Sequence, residues 1–408
     1  MAAVDNESSF RTAAQAAAEG SVSVVHVITR MIIGGAQENT LSSVEGLSRL
    51  EGFDARLVTG PETGPEGDLV VAARPTVDIE YVPSLRRSIK PLTDVRAVWS
   101  LYRLFCRTRP SVVHTHSSKA GVLGRVAAKA ARVPVVVHTL HGLPFHDYQP
   151  RALNFAYRSI KRTLAPLTDH YVSVSHEVAG KAARAGIGSP SRHTVIRSGF
   201  RTDAFVDSLP SKDQARARLG IPPGRTVVGT VARLFPLKGH ADILEAASRV
   251  VPRHPDVLFV LVGDGILRAE LEEEIGRRGL GAHFLFLGRL DPDLMPTAFA
   301  SFDVLVHASL REGLARVLPQ GVLAGVPVVA YDLDSACEVV ADGRNGFLVP
   351  PRDILSLAQR LGLLAGDPEL RARLGGVGQE WVRRDFSVDA MVGGLATLYT
   401  DLLAASRR

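Results

Sequence analysis

Along this chain, short runs of apolar, β-branched residues alternate with longer stretches in which apolar positions recur at helical spacing. One series of runs comprises Val24–Thr29, Ala55–Thr59, Val112–His116, Val135–Leu140, His170–Val174 and Thr194–Arg197. A second holds Thr226–Val231, Leu258–Val262, Phe284–Leu287, Val304–Ala308 and Pro327–Tyr331. Most are apolar at successive positions, the pattern of strands covered on both faces of a parallel sheet. Helical stretches rich in Ala, Leu and Arg separate them, so two successive βα series predict an α/β fold of two doubly wound parallel-sheet domains. In such domains ligands bind at the carboxyl ends of the strands, and with two of them the natural site is a cleft. Polar residues directly after strands therefore carry the functional argument.

The segment SKDQARARLGIPPGR follows the last strand of the first series and is polar, with Pro and Gly at its end. It sets the expected organisation as a disordered lead-in over 1–20, a first domain over 21–205 and a second over 206–385. A final amphipathic helix, 386–408, is expected to pack back on the first domain. The lead-in carries early acidic residues and no apolar core segment, unlike a signal peptide. No apolar run approaches the roughly 18–20 residues that span a bilayer.

Composition narrows the classes. With 46% hydrophobic and 22% charged residues among 408, the chain reads as soluble and globular, not disordered. Its two cysteines, Cys106 and Cys337, lie far apart in sequence and fit a reducing compartment, so a cytoplasmic location is expected. A net charge of +6 suggests an anionic partner but is small for this length, and aromatic and basic residues do not interleave. Nucleic acid is thereby disfavoured; bound phosphate or anionic lipid serves as well.

Candidate chemistry follows the strands. After Val24–Thr29, Gly34 and Gly35 stand at a strand-to-helix turn whose free N–H groups suit a phosphate or sugar hydroxyl, or form a plain turn. VVHTHSSKAG and VVVHTLHGLPFHD bring His114, His116, Lys119, His138, His141, His146 and Asp147 into a short span. Two readings compete here. The His114/His116 pair looks like the metal-binding start of an amidohydrolase barrel, with His170 and His176 as further candidates, but no matching ligand set follows in the second series. Alternatively His141 faces a sugar or its acceptor, while His114 and His138 are structural.

In VVGTVARLFPLKGHADILEA, Arg233 and Lys238 follow a strand and precede a helix, making a site for a diphosphate. Gly288 and Arg289 offer backbone contacts to a nucleobase. In SLREGLARVLPQ, Pro319 is tolerated only within the first helical turn, so the helix should begin near Ala315–Arg316. Glu312 then precedes the helix and Gln320 lies about one turn into it, so that both face one ligand over the helix N-terminus. An acidic helix start is the plain alternative for Glu312.

These segments, with GGAQ, VIRSGFRTDAF, LVGDG and DGRNGFLVPPRD, resemble in order and spacing the retaining, nucleotide-sugar-dependent glycosyltransferases of family 4. The resemblance implies the GT-B fold, two Rossmann-like domains. It implies that Arg233 and Lys238 bind the donor diphosphate and stabilise its charge as it departs. Glu312 is similar to the first glutamate of the family's E-x7-E motif and would contact the transferred sugar, with Gly313, Leu314 and Ala315 beside it. Gln320 stands where a second glutamate usually holds the ribose. His141 would line the transferred sugar, Gly34 and Gly35 would admit the diphosphate, and His116 and Lys119 would lie on the acceptor side. Family members generally need no metal, so no cofactor is expected. The chain departs from the pattern at Ser198, Arg201, Ala315 and Arg316.

SLRRSIKPLTDVRAVWSLYRLFCRTR and RALNFAYRSIKRTLAP mix cations with apolar residues and could touch anionic membrane, delivering a lipid-linked acceptor, or be ordinary surface helices. The expected activity is retaining transfer of a hexosyl or N-acetylhexosaminyl group from a UDP-sugar to a glycan or lipid-linked hydroxyl. Polysaccharide or surface-glycan assembly is the setting, at the inner face of the membrane. The alternatives are the metal-dependent hydrolase, a nucleotide-sugar 2-epimerase and a catalytically silent sugar-nucleotide-binding protein.

Overall fold

The computed structural model describes residues 21–407 except 63, 65 and 66, and the lead-in over 1–20 lies outside the described residues. The chain divides into two compact units. One runs to Phe200 and resumes at Ser387; the other is Arg201–Phe386.

The first unit is built on a parallel sheet of seven strands: β1 (Val22–Ile28), β2 (Phe53–Thr59), β3 (Ile79–Tyr81), β4 (Val112–Thr115), β5 (Val135–Leu140), β6 (His170–Ser173) and β7 (His193–Val195). Their order is β3-β2-β1-β4-β5-β6-β7, so the direction of winding reverses between β1 and β4. Helices cover both faces, which is why the central strands are apolar at successive positions. Val24, Ile28, Val112, Val135 and Val137 pack with α1 (Gly35–Arg49) and the last helix. Val25, Val27, Val113 and Val136, on the opposite face, pack with α2 (Pro91–Thr108) and α3 (Ser118–Ala130). A further helix, α4 (Arg151–Thr163), leaves most of its side chains exposed.

The second unit has a parallel sheet of six strands: β8 (Thr226–Val231), β9 (Val257–Val262), β10 (Phe284–Gly288), β11 (Val304–His307), β12 (Val328–Tyr331) and β13 (Gly346–Val349). The order is β10-β9-β8-β11-β12-β13, with reversal between β8 and β11. After β8 comes α5 (His240–Val250), and after β11 the short α6 (Val317–Leu323). Both architectures are doubly wound α/β sheets, and no single eight-stranded barrel of the kind needed by the hydrolase alternative is present among the described residues.

Two strands escape the sequence pattern. Strand β3 is three residues long at a sheet edge, with Glu80 and Tyr81 exposed, so it presents no apolar run. Strand β13 opens with Gly346, because a Cβ there would lie 2.1 Å from the Val328 carbonyl oxygen. The glycine leaves an apolar run of only three residues, Phe347, Leu348 and Val349, too short to mark a strand in the sequence.

The last helix, α7 (Val388–Ser406), packs on α1 in the first unit and is long and apolar enough to cross a membrane by length and composition. Asp389 and Asp401 interrupt it on its exposed side, so the sequence shows no unbroken run of that length. Met391, Val392, Leu395, Tyr399 and Leu403 are buried in the core of the first unit.

Candidate functional site

In a doubly wound sheet the loops after the two strands at the reversal point splay to opposite faces and leave a crevice. In the second unit those loops follow β8 and β11. The β8 loop carries Arg233, which is exposed and stacks over Phe235, and Lys238. Leu237 and Gly239 adopt left-handed backbone, at φ 68° and 75°. Glycine is required at 239, because a Cβ would fall 2.0 Å from the Ala308 carbonyl oxygen just beyond β11. The same contact is fastened by the Leu310 N–H, which donates to the Leu237 carbonyl at 2.8 Å. The strained Leu237 conformation is thus held where two loops meet.

Across that seam Lys238 Nζ donates to Glu312 Oε1 at 2.5 Å. The loop bearing Glu312 is fixed from its other side: the Glu312 N–H donates to Asp334 Oδ2 at 2.7 Å, and the Ser335 hydroxyl donates to the Gly313 carbonyl. His307, the last residue of β11, brings Nε2 to 3.6 Å from Glu312 Oε1. Burial alone would raise the Glu312 carboxyl, but the Lys238 ammonium and the His307 ring prevail and hold it well below the usual carboxylate range. A group depressed in this way contributes stability that is complete above its unfolded value, about 4.3, and is lost as pH falls toward the folded one. Glu312 therefore stays ionised across the neutral range.

The remaining positions expected in this unit lie on the same carboxyl edge. Leu314 and Ala315 are buried and Gln320 is partly exposed in the first turn of α6, whose helical residues begin at Val317, just beyond the expected start. Gly288 ends β10, and its carbonyl accepts from the Gly263 N–H at 2.7 Å, which joins it to the turn after β9; Arg289 beside it is exposed. His307, Asp334 and Ser335 were missed by the sequence reading. His307 was accessible to the rule that polar residues at strand ends matter; Asp334 and Ser335 act from a loop 22 residues beyond those they brace.

In the first unit the reversal point lies between β1 and β4. Gly34 caps α1 after β1, and His116 and Lys119 follow β4. Lys119 Nζ binds Asp94 Oδ1 at 2.6 Å and the Ser88 carbonyl, so its ammonium is engaged within the unit. His116 is buried, not surface-lining, with Nδ1 3.1 Å from His141 Nε2 and Nε2 2.9 Å from His26 Nδ1. Of this row only His141 is partly exposed. His138 lies on the opposite face, bonded to Thr115 and Lys161.

Ring nitrogens of His26, His114 and His116 lie within 4.8 Å of one another. A cation would have to displace existing bonds, because His114 is committed to Tyr399 and Thr139 while His26 and His116 bond each other. Burial lowers His26 to about 3 and His141 to about 4, and burial with the neighbouring rings puts His114 and His116 well below their ordinary value. The row is neutral, hydrogen-bonded imidazole.

Replacing Lys238 by Met leaves burial opposed by His307 alone. Carboxyl NMR of Glu312 is then expected to show a midpoint at or above about 4.3. A midpoint still below that range would mean that Lys238 is not what holds the charge.

Comparison with known proteins agrees with this architecture. Residues 34–199 match the glycosyl transferase 4-like domain, and residues 211–381 match the glycosyl transferases group 1. The chain is 33% identical over 368 residues to the phosphatidyl-myo-inositol mannosyltransferase of Mycobacterium tuberculosis, covering 88% of this chain and 91% of that one. It is 29% identical over 385 residues to the UDP-Gal:alpha-D-GlcNAc-diphosphoundecaprenol alpha-1,3-galactosyltransferase of Escherichia coli, covering 94% and 97%. Among solved structures, Anabaena HepE in complex with UDP and glucose superposes with a TM-score of 0.77 at 22% identity, over 93% of this chain and all of that one. With the two doubly wound units, these likenesses place the fold as GT-B, and the chain belongs to the group 1 glycosyltransferases.

Proposed function

We propose that the protein transfers a sugar from a UDP-sugar to a hydroxyl of a glycan or lipid-linked acceptor, with retention of anomeric configuration and without a metal. The observation that carries this reading is the apposition of Lys238 and Glu312 at the β8/β11 reversal point, with Arg233 on the same loop. As the bond between the anomeric carbon and the diphosphate oxygen breaks, negative charge grows on the diphosphate. Arg233, Lys238 and the amino end of α5 meet that charge in fixed positions. An ammonium has three donors, so Lys238 can keep Glu312 while reaching a phosphate oxygen.

Glu312, held ionised, accepts hydrogen bonds from sugar hydroxyls and favours positive charge developing at the anomeric carbon. Gln320 accepts from a ribose hydroxyl, and Gly288 and Arg289 contact the base. On the first unit, Gly34 and Gly35 admit the donor and His141 faces the sugar and its acceptor. The galactosyltransferase of E. coli is named for UDP-Gal and a diphosphoundecaprenol acceptor, which supports a UDP donor and a lipid-linked acceptor here. Relatives are named as transferases, which favours transfer over epimerisation or hydrolysis.

Surface chemistry supports a membrane contact. On and just before α2, Ile89, Leu92, Val95 and Trp99 are 85, 80, 68 and 59% exposed. The positions 92, 95 and 99 form one helical stripe, flanked by exposed Arg86, Arg87, Lys90, Arg96 and Arg103. Exposed Leu153, Phe155 and Ile160 with Arg151, Arg158 and Arg162 repeat the mixture on α4. Location at the inner face of the membrane follows from this reading.

A thermal-shift panel tests the donor. UDP or a UDP-sugar at about a hundredfold excess over Kd should raise Tm by about 5 °C, while GDP and ADP should not. Arg233→Ala and Lys238→Ala should abolish the rise; an undiminished shift in both variants would contradict the phosphate assignment.

Sedimentation with anionic vesicles tests the surface. Binding is expected at low salt, weakening as salt screens it, with a severalfold loss in the double variant Ile89→Ser, Trp99→Ser. Absence of binding at low salt would refute the contact.

A further inference from the structure

The face of the first sheet beneath α7 holds a polar row inside an otherwise apolar core. Alternation along the strands puts His26 of β1, His114 of β4 and Thr139 of β5 on that face, and the register pairs His26 directly with His114. Tyr399 of α7 comes down on them, fully buried. The contacts form one unbranched chain. His141 Nε2 meets His116 Nδ1 at 3.1 Å, His116 Nε2 meets His26 Nδ1 at 2.9 Å, and His26 Nε2 meets the Tyr399 hydroxyl at 3.4 Å. The hydroxyl meets His114 Nδ1 at 2.5 Å, and His114 Nε2 meets Thr139 Oγ1 at 2.6 Å.

A neutral imidazole has one donor nitrogen and one acceptor nitrogen, so the links on either side of each ring must point the same way. With the buried Tyr399 proton also used within the chain, only two arrangements remain, and they give His141 opposite tautomers. The distances at Tyr399 choose between them. O–H donors make closer contacts than N–H donors, so the hydroxyl donates across its nearer link, to His114, and accepts across its farther one, from His26. His26 then donates from Nε2, His116 from Nε2 and His141 from Nε2. At the far end His114 donates to Thr139, a residue that lines a small cavity with Asn39 and Ser43.

We infer that Tyr399, through His26 and His116, is a positioning residue that fixes His141 as the Nε2–H tautomer, so that its Nδ1 is a standing acceptor for a substrate hydroxyl. Nδ1 of His141 makes no hydrogen bond among the described residues. A ring free to exchange tautomers would offer an N–H there part of the time and turn the same hydroxyl away. The substrate side of this inference rests on the proposed role of His141; the tautomer does not.

Nitrogen NMR of the histidine-labelled full-length protein tests it, with His141 assigned by comparison with His141→Asn. The expected wild-type spectrum at neutral pH shows His141 protonated on Nε2 and bare on Nδ1. In Tyr399→Phe, which keeps the ring and removes the hydroxyl, His141 should become a tautomer mixture. Transfer should then slow about tenfold in kcat with donor KM unchanged, the scale of losing an orienting partner. A wild-type His141 protonated on Nδ1, or a folded Tyr399→Phe with His141 unchanged, overturns the relay. If Tyr399→Phe fails to fold, the wild-type spectrum alone still decides. If His141→Asn transfers sugar at the wild-type rate, the substrate role of His141 falls while the tautomer assignment is judged by the spectrum.

Discussion

The contact of Lys238 with Glu312 is the constraint on which the chemistry proposed for the second unit depends. A carboxylate and an ammonium at 2.5 Å, each about one-fifth exposed, are placed where two βα loops part. Neither loop holds this geometry alone. The β8 loop needs left-handed backbone at Leu237 and Gly239, and the β11 loop hangs on Asp334 and Ser335. Three successive loops on the carboxyl edge are thereby bonded in series, and the ion pair sits within that series. For a transferase this order matters, because preorganised charge needs no rearrangement when the leaving group departs.

The first unit meets the same topological situation with opposite electrostatics. Its corresponding edge carries neutral imidazoles, kept neutral by burial, and Lys119 is paired with Asp94. One unit therefore offers fixed charge, suited to a diphosphate, and the other offers hydrogen-bonding nitrogen, suited to sugar hydroxyls. Each kind of group suits one partner of the proposed reaction: fixed charge a highly charged leaving group, neutral nitrogen an uncharged hydroxyl. The clustered histidines could hold a metal only by giving up bonds that they already make. Their nitrogens already hold one another, Tyr399 and Thr139.

What the sequence made legible and what it hid follow from how far each signal reaches. Strands buried on both faces announce themselves locally, and residues such as Arg233, Lys238 and Glu312 are visible because they stand directly after such strands. Strand β3 was hidden because its edge residues are exposed, and β13 because its opening glycine leaves an apolar run of only three residues, Phe347, Leu348 and Val349. Pairings were hidden by separation. Lys238 meets Glu312 across 74 residues and His26 meets Tyr399 across 373, so strand order and register, not spacing, bring them together. His116 and Lys119 were expected on the acceptor side by resemblance, and neither resemblance nor strand-end position tells whether a side chain is already engaged within its own unit.

The proposed roles of Glu312 and Gln320 differ in kind: the first acts on the reacting sugar, the second only grips the ribose. Steady-state rates of sugar transfer for the two exchanges measure that difference directly. Glu312→Gln should lower kcat by about a hundredfold or more, because it removes charge from the developing transition state. Gln320→Glu should change kcat by less than about threefold, since either side chain accepts a hydroxyl hydrogen bond. Equal losses from the two substitutions would contradict the account.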